Sequence, residues 1–180
     1  MSNRSRSQWS KGAKTIPGQF APRLVEMLES PAWRALSLSA HRLLDRLDIE
    51  HRHHAGRDNG KLIVTFEQFC SYGMDRHAVA RAIREAVALG FVEVTRRGCA
   101  GNADQRQASQ YRLTYQPAEG VPGYASDEWR RITTLEEANR IAVEARATPA
   151  AGPNGRRVKI RNPVGVNATF QCAKPTPKSV

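Results

Sequence analysis

Apolar positions recur with helical period in five stretches of the chain and with strand character in three more. In PRLVEMLES, Leu24, Val25, Met27 and Leu28 fit a short amphipathic helix, with Pro22 suited to its first position. SPAWRALS reads as a break anchored by Trp33 and Leu36. Next, Ala40, Leu43, Leu44 and Leu47 share one face of a helix that Ser39 would cap and Gly56 would end. Asp58-Asn59-Gly60 is a turn signal, and KLIVT (61–65) is short, β-branched and apolar, hence a strand. Thr65 and Gln68 have capping-box spacing and predict a helix of about two turns ending at Gly73. Asp75 caps a longer helix that Gly90 stops, and Phe91–Thr95 follows as a strand. Residues 96–109 form a glycine-punctuated polar loop. QYRLTY (110–115) alternates, with Tyr111, Leu113 and Tyr115 on one side. Residues 117–128 are turn-rich. Thr134 and Glu137 then open, as a capping box, a helix whose face carries Leu135, Ala138, Ile141, Ala142 and Ala145.

This order predicts a mainly α fold with a small β-hairpin, of the α+β class. The total of 180 residues, 40% of them apolar, suits one modest domain with tails and no internal repeat. No apolar run is long enough to span a bilayer, so no membrane partner is expected. The opening MSNRSRSQWSKGAKT is polar throughout, which makes cytoplasmic the expected address. Cys70, Cys99 and Cys172 are odd in number and form no CxxC pair, which argues against a disulfide framework or a zinc site.

Charge adds a partner class. Of the net +11, all sits at the two ends. Residues 1–23 hold five basic residues and no acid, residues 149–180 hold six and no acid, and the 17 basic residues between are balanced by 17 acids. Basic ends attract polyanions without regard to sequence. The chain divides accordingly into a basic flexible arm (1–19), a folded domain (20–116), a linker with a C-terminal helix (117–148) and a basic disordered tail (149–180).

On the helix after Asp75, steps of 100° gather Val79, Ala82, Ile83 and Ala86 into one arc, with Val87 at its edge. His77, Arg81, Arg84 and Ala88 lie opposite, Arg76 reaches out from the first turn, and Glu85 is at the border. A solvated face would mix Glu with Lys; this one is basic with a small residue. Arginine can donate two hydrogen bonds to a guanine edge or hold phosphates. The loop beyond the strand supplies Arg96, Arg97, Asn102, Gln105, Arg106 and Gln107, donors suited to a minor groove or a backbone.

The stretch NGKLIVTFEQFCSYGMDRHAVARAIREAVALGFVEV, with SPAWRALSLSAHRLLDRL upstream, resembles the winged helix-turn-helix proteins of bacterial regulators and of plasmid and phage replication initiators. The likeness covers about residues 30–115. It departs at Asp75, where Ser or Thr is common, and at Ala86, where a bulkier Leu often packs. It implies a winged-helix domain over 20–116, double-stranded DNA as partner, and a role in transcription regulation or mobile-element replication. Arg76, His77, Arg81 and Arg84 would meet the major groove; Arg96, Arg97 and Arg106 would grip its flanks.

Other chemistry finds less support. GAKT (12–15) lacks the Gly-Lys-Thr order and the preceding glycine of a phosphate loop. His51 and His54 in HRHH are read as histidines at a helix C-terminus, not as metal ligands. GCAG (98–101) joins strands, unlike the RNA-clamping loop it looks like. Asp45, Asp48 and Glu50 alternate with Arg as a solvated face would. With no Ser-His-Asp or Cys-His constellation, no enzyme, cofactor, metal or small-molecule ligand is expected. Two rivals stay open: a protein-interaction module, with the 134–147 helix pairing with a partner or a second copy as a homodimer, and RNA binding through the tails alone.

Overall fold

The computed structural model describes residues 18–98, 107–118 and 125–148. The basic tail 149–180, nearly all of the arm 1–19, and the loop segment holding Arg106 lie outside them. The described chain is mixed α+β, with six α-helices and one three-stranded antiparallel sheet. In order these are α1 (Val25–Glu29), α2 (Pro31–Arg34), α3 (Leu38–His53), β1 (Leu62–Ile63), α4 (Phe66–Ser71), α5 (Arg76–Ala88), β2 (Val92–Arg96), β3 (Gln110–Leu113) and α6 (Leu135–Ala147). A 3₁₀ turn, Glu128–Arg131, precedes α6. The sheet order is β1-β3-β2, and a bulge between Val94 and Arg96 interrupts the β2–β3 register.

One core joins the elements. Leu43, Leu44 and Leu47 of α3, Val79, Ala82 and Ala86 of α5, Phe69 of α4, and Leu62, Tyr111 and Leu113 of the sheet are all buried. Each Leu so placed contributes roughly 1.5–3 kcal/mol relative to an exposed one. Edge-on aromatic pairs, Phe69–Tyr111 at 6.1 Å and Trp33–Phe91 at 5.6 Å between ring centres, tie α4 to the sheet and α2 to the start of β2.

Two helices end in the same way. Behind α4, Gly73 N–H donates to the Cys70 carbonyl and Met74 N–H to the Phe69 carbonyl. Behind α5, Gly90 N–H donates to Val87 and Phe91 N–H to Ala86. Both are Schellman closures with glycine at the left-handed position, φ +92° at Gly73 and +81° at Gly90. The buried pairs Phe69–Met74 and Ala86–Phe91 supply the accompanying apolar residues. At the front ends, Thr65 and Gln68 form the reciprocal capping box, and the Asp75 carboxylate accepts from the His77 and Ala78 N–H groups.

Several boundaries differ from the sequence expectation. The first helix begins at Val25, not Pro22. SPAWRALS is not a break: Ser30 caps α2 by accepting from Trp33 N–H, with Pro31 in the first turn. The cap of α3 is Ser37, which accepts from Ala40 N–H, while Ser39 lies in the first turn. α3 closes with Ala55, φ +54°, in the left-handed position, and Gly56 follows one residue later. β1 is only two residues long, and β2 runs to Arg96. The 3₁₀ turn begins at residue 128, the last of the stretch read as turn-rich, and runs beyond it to Arg131, with Trp129 buried beneath it. Thr134 caps α6 by accepting from Glu137 N–H.

The solvated reading of Asp48 is overturned. Asp48 is 2% exposed and accepts from Arg23 Nε and Nη2, at 2.9 and 2.7 Å, and from the Tyr115 hydroxyl at 3.0 Å. Burial pushes its carboxyl up from the ordinary carboxylate range, and the Arg23 charge pulls it part of the way back. Arg23 also reaches Asp45. A basic residue at the edge of the N-terminal charge cluster is therefore a structural ion-pair partner.

Candidate nucleic-acid interface

α5 is amphipathic by construction. Its inner arc, Val79, Ala82 and Ala86, is buried. Small residues there let α3 and α6 approach closely. On the outer side, Arg76, His77 and Arg81 are exposed. None of the three forms an ion pair with a described residue. They occupy the first two turns of the helix, directly after the tight α4–α5 turn. Arg42, on α3, donates from Nη1 to the Gly73 carbonyl at 2.7 Å and so braces that turn. Sequence reasoning missed Arg42; its signal is an arginine off the apolar face of α3, one residue before Leu43.

Arg84 is elsewhere. Its Nε donates to the Ala145 carbonyl at 3.0 Å and its Nη2 to the Arg146 carbonyl at 3.5 Å. A cation at these carbonyls compensates the negative end of the α6 dipole and partners carbonyls that the helix cannot pair itself. Burial, and secondarily the charge of Arg81, push the Arg84 guanidinium below its ordinary value. The wheel places Arg84 in the outer stripe, but the tertiary fold gives two of its donors to α6.

Glu85 is fully buried rather than at a border. Its carboxylate accepts from Ser37 N–H at 2.8 Å, from Ser37 Oγ at 2.7 Å and from Arg146 Nη1 at 2.6 Å. In a capping box the residue three positions into the helix closes this bond; in α3 that residue is Ala40, which cannot. Glu85 supplies the missing acceptor from another helix. One side chain thereby joins the start of α3, the middle of α5 and the end of α6. Ser37, Ser39, Arg81, Glu85, Val143 and Arg146 line the open groove between them.

The remaining arginines lie beyond Gly90. Arg96 closes β2 and Arg97 follows it, both exposed. The bulge places Thr95 so that its hydroxyl donates to the Gly60 carbonyl at 2.6 Å, pinning this strand to the 58–60 turn. The expected group thus resolves into Arg76, His77 and Arg81 together on α5, Arg96 and Arg97 at the end of β2, Arg84 turned to α6, and Arg106 outside the described residues.

α6 uses its apolar face within the chain. Ala138 and Ala142 are buried and the helix lies against α5 and α2, while Val143 on its other side is exposed. His51 is buried, with a pKa pushed down by burial and then by Arg52. Exposed His54 faces Glu50 and Asp58. Among the described residues no group of three His, Cys, Asp or Glu side chains could hold a metal ion, and no helix is long and apolar enough to cross a membrane. Compared with known proteins, the chain matches no family model, no curated protein and no solved structure.

Proposed function

We propose that residues 20–116 form a winged helix-turn-helix domain that binds double-stranded DNA as a regulator of transcription or a mobile-element replication factor, and that the protein is a binding protein rather than an enzyme. The order α3-β1-α4-α5-β2-β3 with sheet order β1-β3-β2 supports the fold, because it leaves β2 and β3 as a hairpin beside the helix pair α4–α5. The observation that carries the function is the outer side of α5, where Arg76, His77 and Arg81 stand exposed and unpaired with any described acid. Folding does not require three such side chains there, and a phosphate or a guanine edge is their natural partner. Arg96 and Arg97 serve the flanks from the hairpin.

Selection of bound fragments from a random duplex pool tests this reading. An enriched motif is expected. Arg81→Ala should relax preference at one position by about 1–3 kcal/mol. No enrichment, together with unchanged duplex affinity in Arg81→Ala, would sink the assignment.

A further inference from the structure

The outward side of α5 changes along its length. Arg76, His77 and Arg81 are exposed, and from Ala82 to Ala88 no residue is. Three neighbours close the second half. Arg84 gives its Nε and Nη2 to the Ala145 and Arg146 carbonyls of α6. Glu85 lies beneath Ser37 and Arg146. Past the helix end, a Cβ at Gly90 would lie 2.8 Å from backbone atoms of Glu128 and Trp129, so the 3₁₀ turn is packed directly against it. A helix laid lengthwise in a major groove needs an open outer face along its whole length. α5 offers one over its first two turns only, so it meets a duplex by its N-terminal end.

The same end is set against phosphate. The Asp75 carboxylate occupies the His77 and Ala78 N–H groups, at 2.9 and 3.1 Å, and puts a negative charge where a helix start otherwise attracts an anion. The exposed side chains of α5 are left to face base edges. They are two arginines and a histidine, with no Asn, Gln, Asp or Glu among them. Arginine matches the paired acceptors O6 and N7 of guanine, and His77 adds a ring N–H donor. Adenine is matched by an amide that both donates and accepts, and cytosine by an acceptor.

We infer that α6 makes α5 an end-on reader of a short guanine-containing core, with Arg81 as the specificity-determining residue and Arg84 kept off the duplex. The inference rests on the DNA-binding reading above and deepens it by naming the base read and the width of the site. From Arg76 to Arg81 the helix rises about 7.5 Å. Bases stack about every 3.4 Å along a strand, so these side chains span about three to four consecutive base pairs. His77 and Arg81, four residues apart, leave α5 on one side and meet neighbouring positions of that core.

The test starts from duplexes that the full chain selects out of a random pool. The winning duplex and its single-base-pair changes are then titrated, by fluorescence anisotropy at one salt concentration, against the full chain and its variants. The core should contain at least one G·C pair whose replacement weakens the full chain about tenfold or more. Arg81→Ala should bind the original and the changed duplex within about twofold of each other. The positions that lose preference in Arg76→Ala, His77→Ala and Arg81→Ala should fall within about four consecutive base pairs. Arg84→Ala should keep the preference at every position, with Arg84→Gln in its place if circular dichroism shows Arg84→Ala misfolded. A core without G·C, a preference that survives Arg81→Ala, or a position whose preference an Arg84 substitution erases overturns the inference. So does binding with no base preference, although that result keeps the DNA-binding reading, with the arginines on phosphates. A full chain that binds no duplex overturns both.

Discussion

Replacing Asn59 separates hydrogen bonding from shape at the base of the sheet. Asn59 is 6% exposed. Its Nδ2 donates to the carbonyls of Leu113, Gln116 and Pro117 at 2.9, 2.9 and 3.0 Å, and its Oδ1 accepts from Leu113 N–H at 2.8 Å. Two hydrogens serve three carbonyls, so one is shared. Asn59→Ala removes these bonds and leaves a buried N–H without a partner. At about 1 kcal/mol for each net bond and 1–3 kcal/mol for the orphaned donor, the loss should be about 3–5 kcal/mol. That is a large part of the 5–15 kcal/mol typical of a domain. Asn59→Asp keeps the shape but turns a carboxylate oxygen toward three carbonyl oxygens. It should be less stable than Asn59→Ala at pH 7, the reverse of what side-chain size predicts. The introduced carboxyl has a folded-state pKa raised above its unfolded value of about 3.9, so its penalty is full above the folded pKa and fades as pH falls toward 4. Urea unfolding followed by circular dichroism at pH 7 and pH 5 measures both effects. If Asn59→Asp equals or exceeds Asn59→Ala in stability at pH 7, the donor assignment is wrong.

Four further outcomes follow from the structure. Ala55→Gly relieves a left-handed alanine at the end of α3, and should stabilise the chain by about 1 kcal/mol in the same urea assay. Gly90→Ala should be more damaging than Gly73→Ala: both positions have positive φ, but an added methyl at Gly90 would lie 2.8 Å from backbone atoms of Glu128 and Trp129, whereas Gly73 faces open space. Calorimetry should place the gap between their melting temperatures at several degrees, about 1 kcal/mol or more. Asp48→Ala leaves the buried Tyr115 hydroxyl without its acceptor and Arg23 with Asp45 alone, and equilibrium unfolding should show a loss of about 1–3 kcal/mol. Stability should also fall as pH drops below 6.5, because the unfolded chain then binds a proton that buried His51, with its lowered pKa, refuses until lower pH. His41, lowered in the same direction by burial, adds to this, so His51→Leu should flatten the dependence of melting temperature on pH only in part.

Much of the local architecture was legible beforehand because its causes are local. The capping box at Thr65, the aspartate cap of α5 and the glycine closures at Gly73 and Gly90 all act within three to five residues. The inward set Tyr111, Leu113 and Tyr115 follows from strand alternation. The 3₁₀ turn at Glu128–Arg131 was missed because no periodicity marks four residues; only the pocket that takes Trp129 does. Ser39 and Ser37 are equally good caps by composition, and the choice went to the serine that Glu85 could reach.

The candidate surface divides along the same line. The outer stripe of α5 and the concentration of charge at the chain ends follow from spacing and composition, and Arg76, His77 and Arg81 are exposed where the wheel places them. Arg84 and Glu85 carry no mark that distinguishes them in sequence, yet their partners lie 61 residues away on α6 and, for Glu85, also 48 residues away at Ser37. Asp48 likewise meets Tyr115 across 67 residues. Helical period says which side of its own helix a long side chain leaves from. It says nothing about which other element will lie there, because that depends on how every apolar face is buried at once.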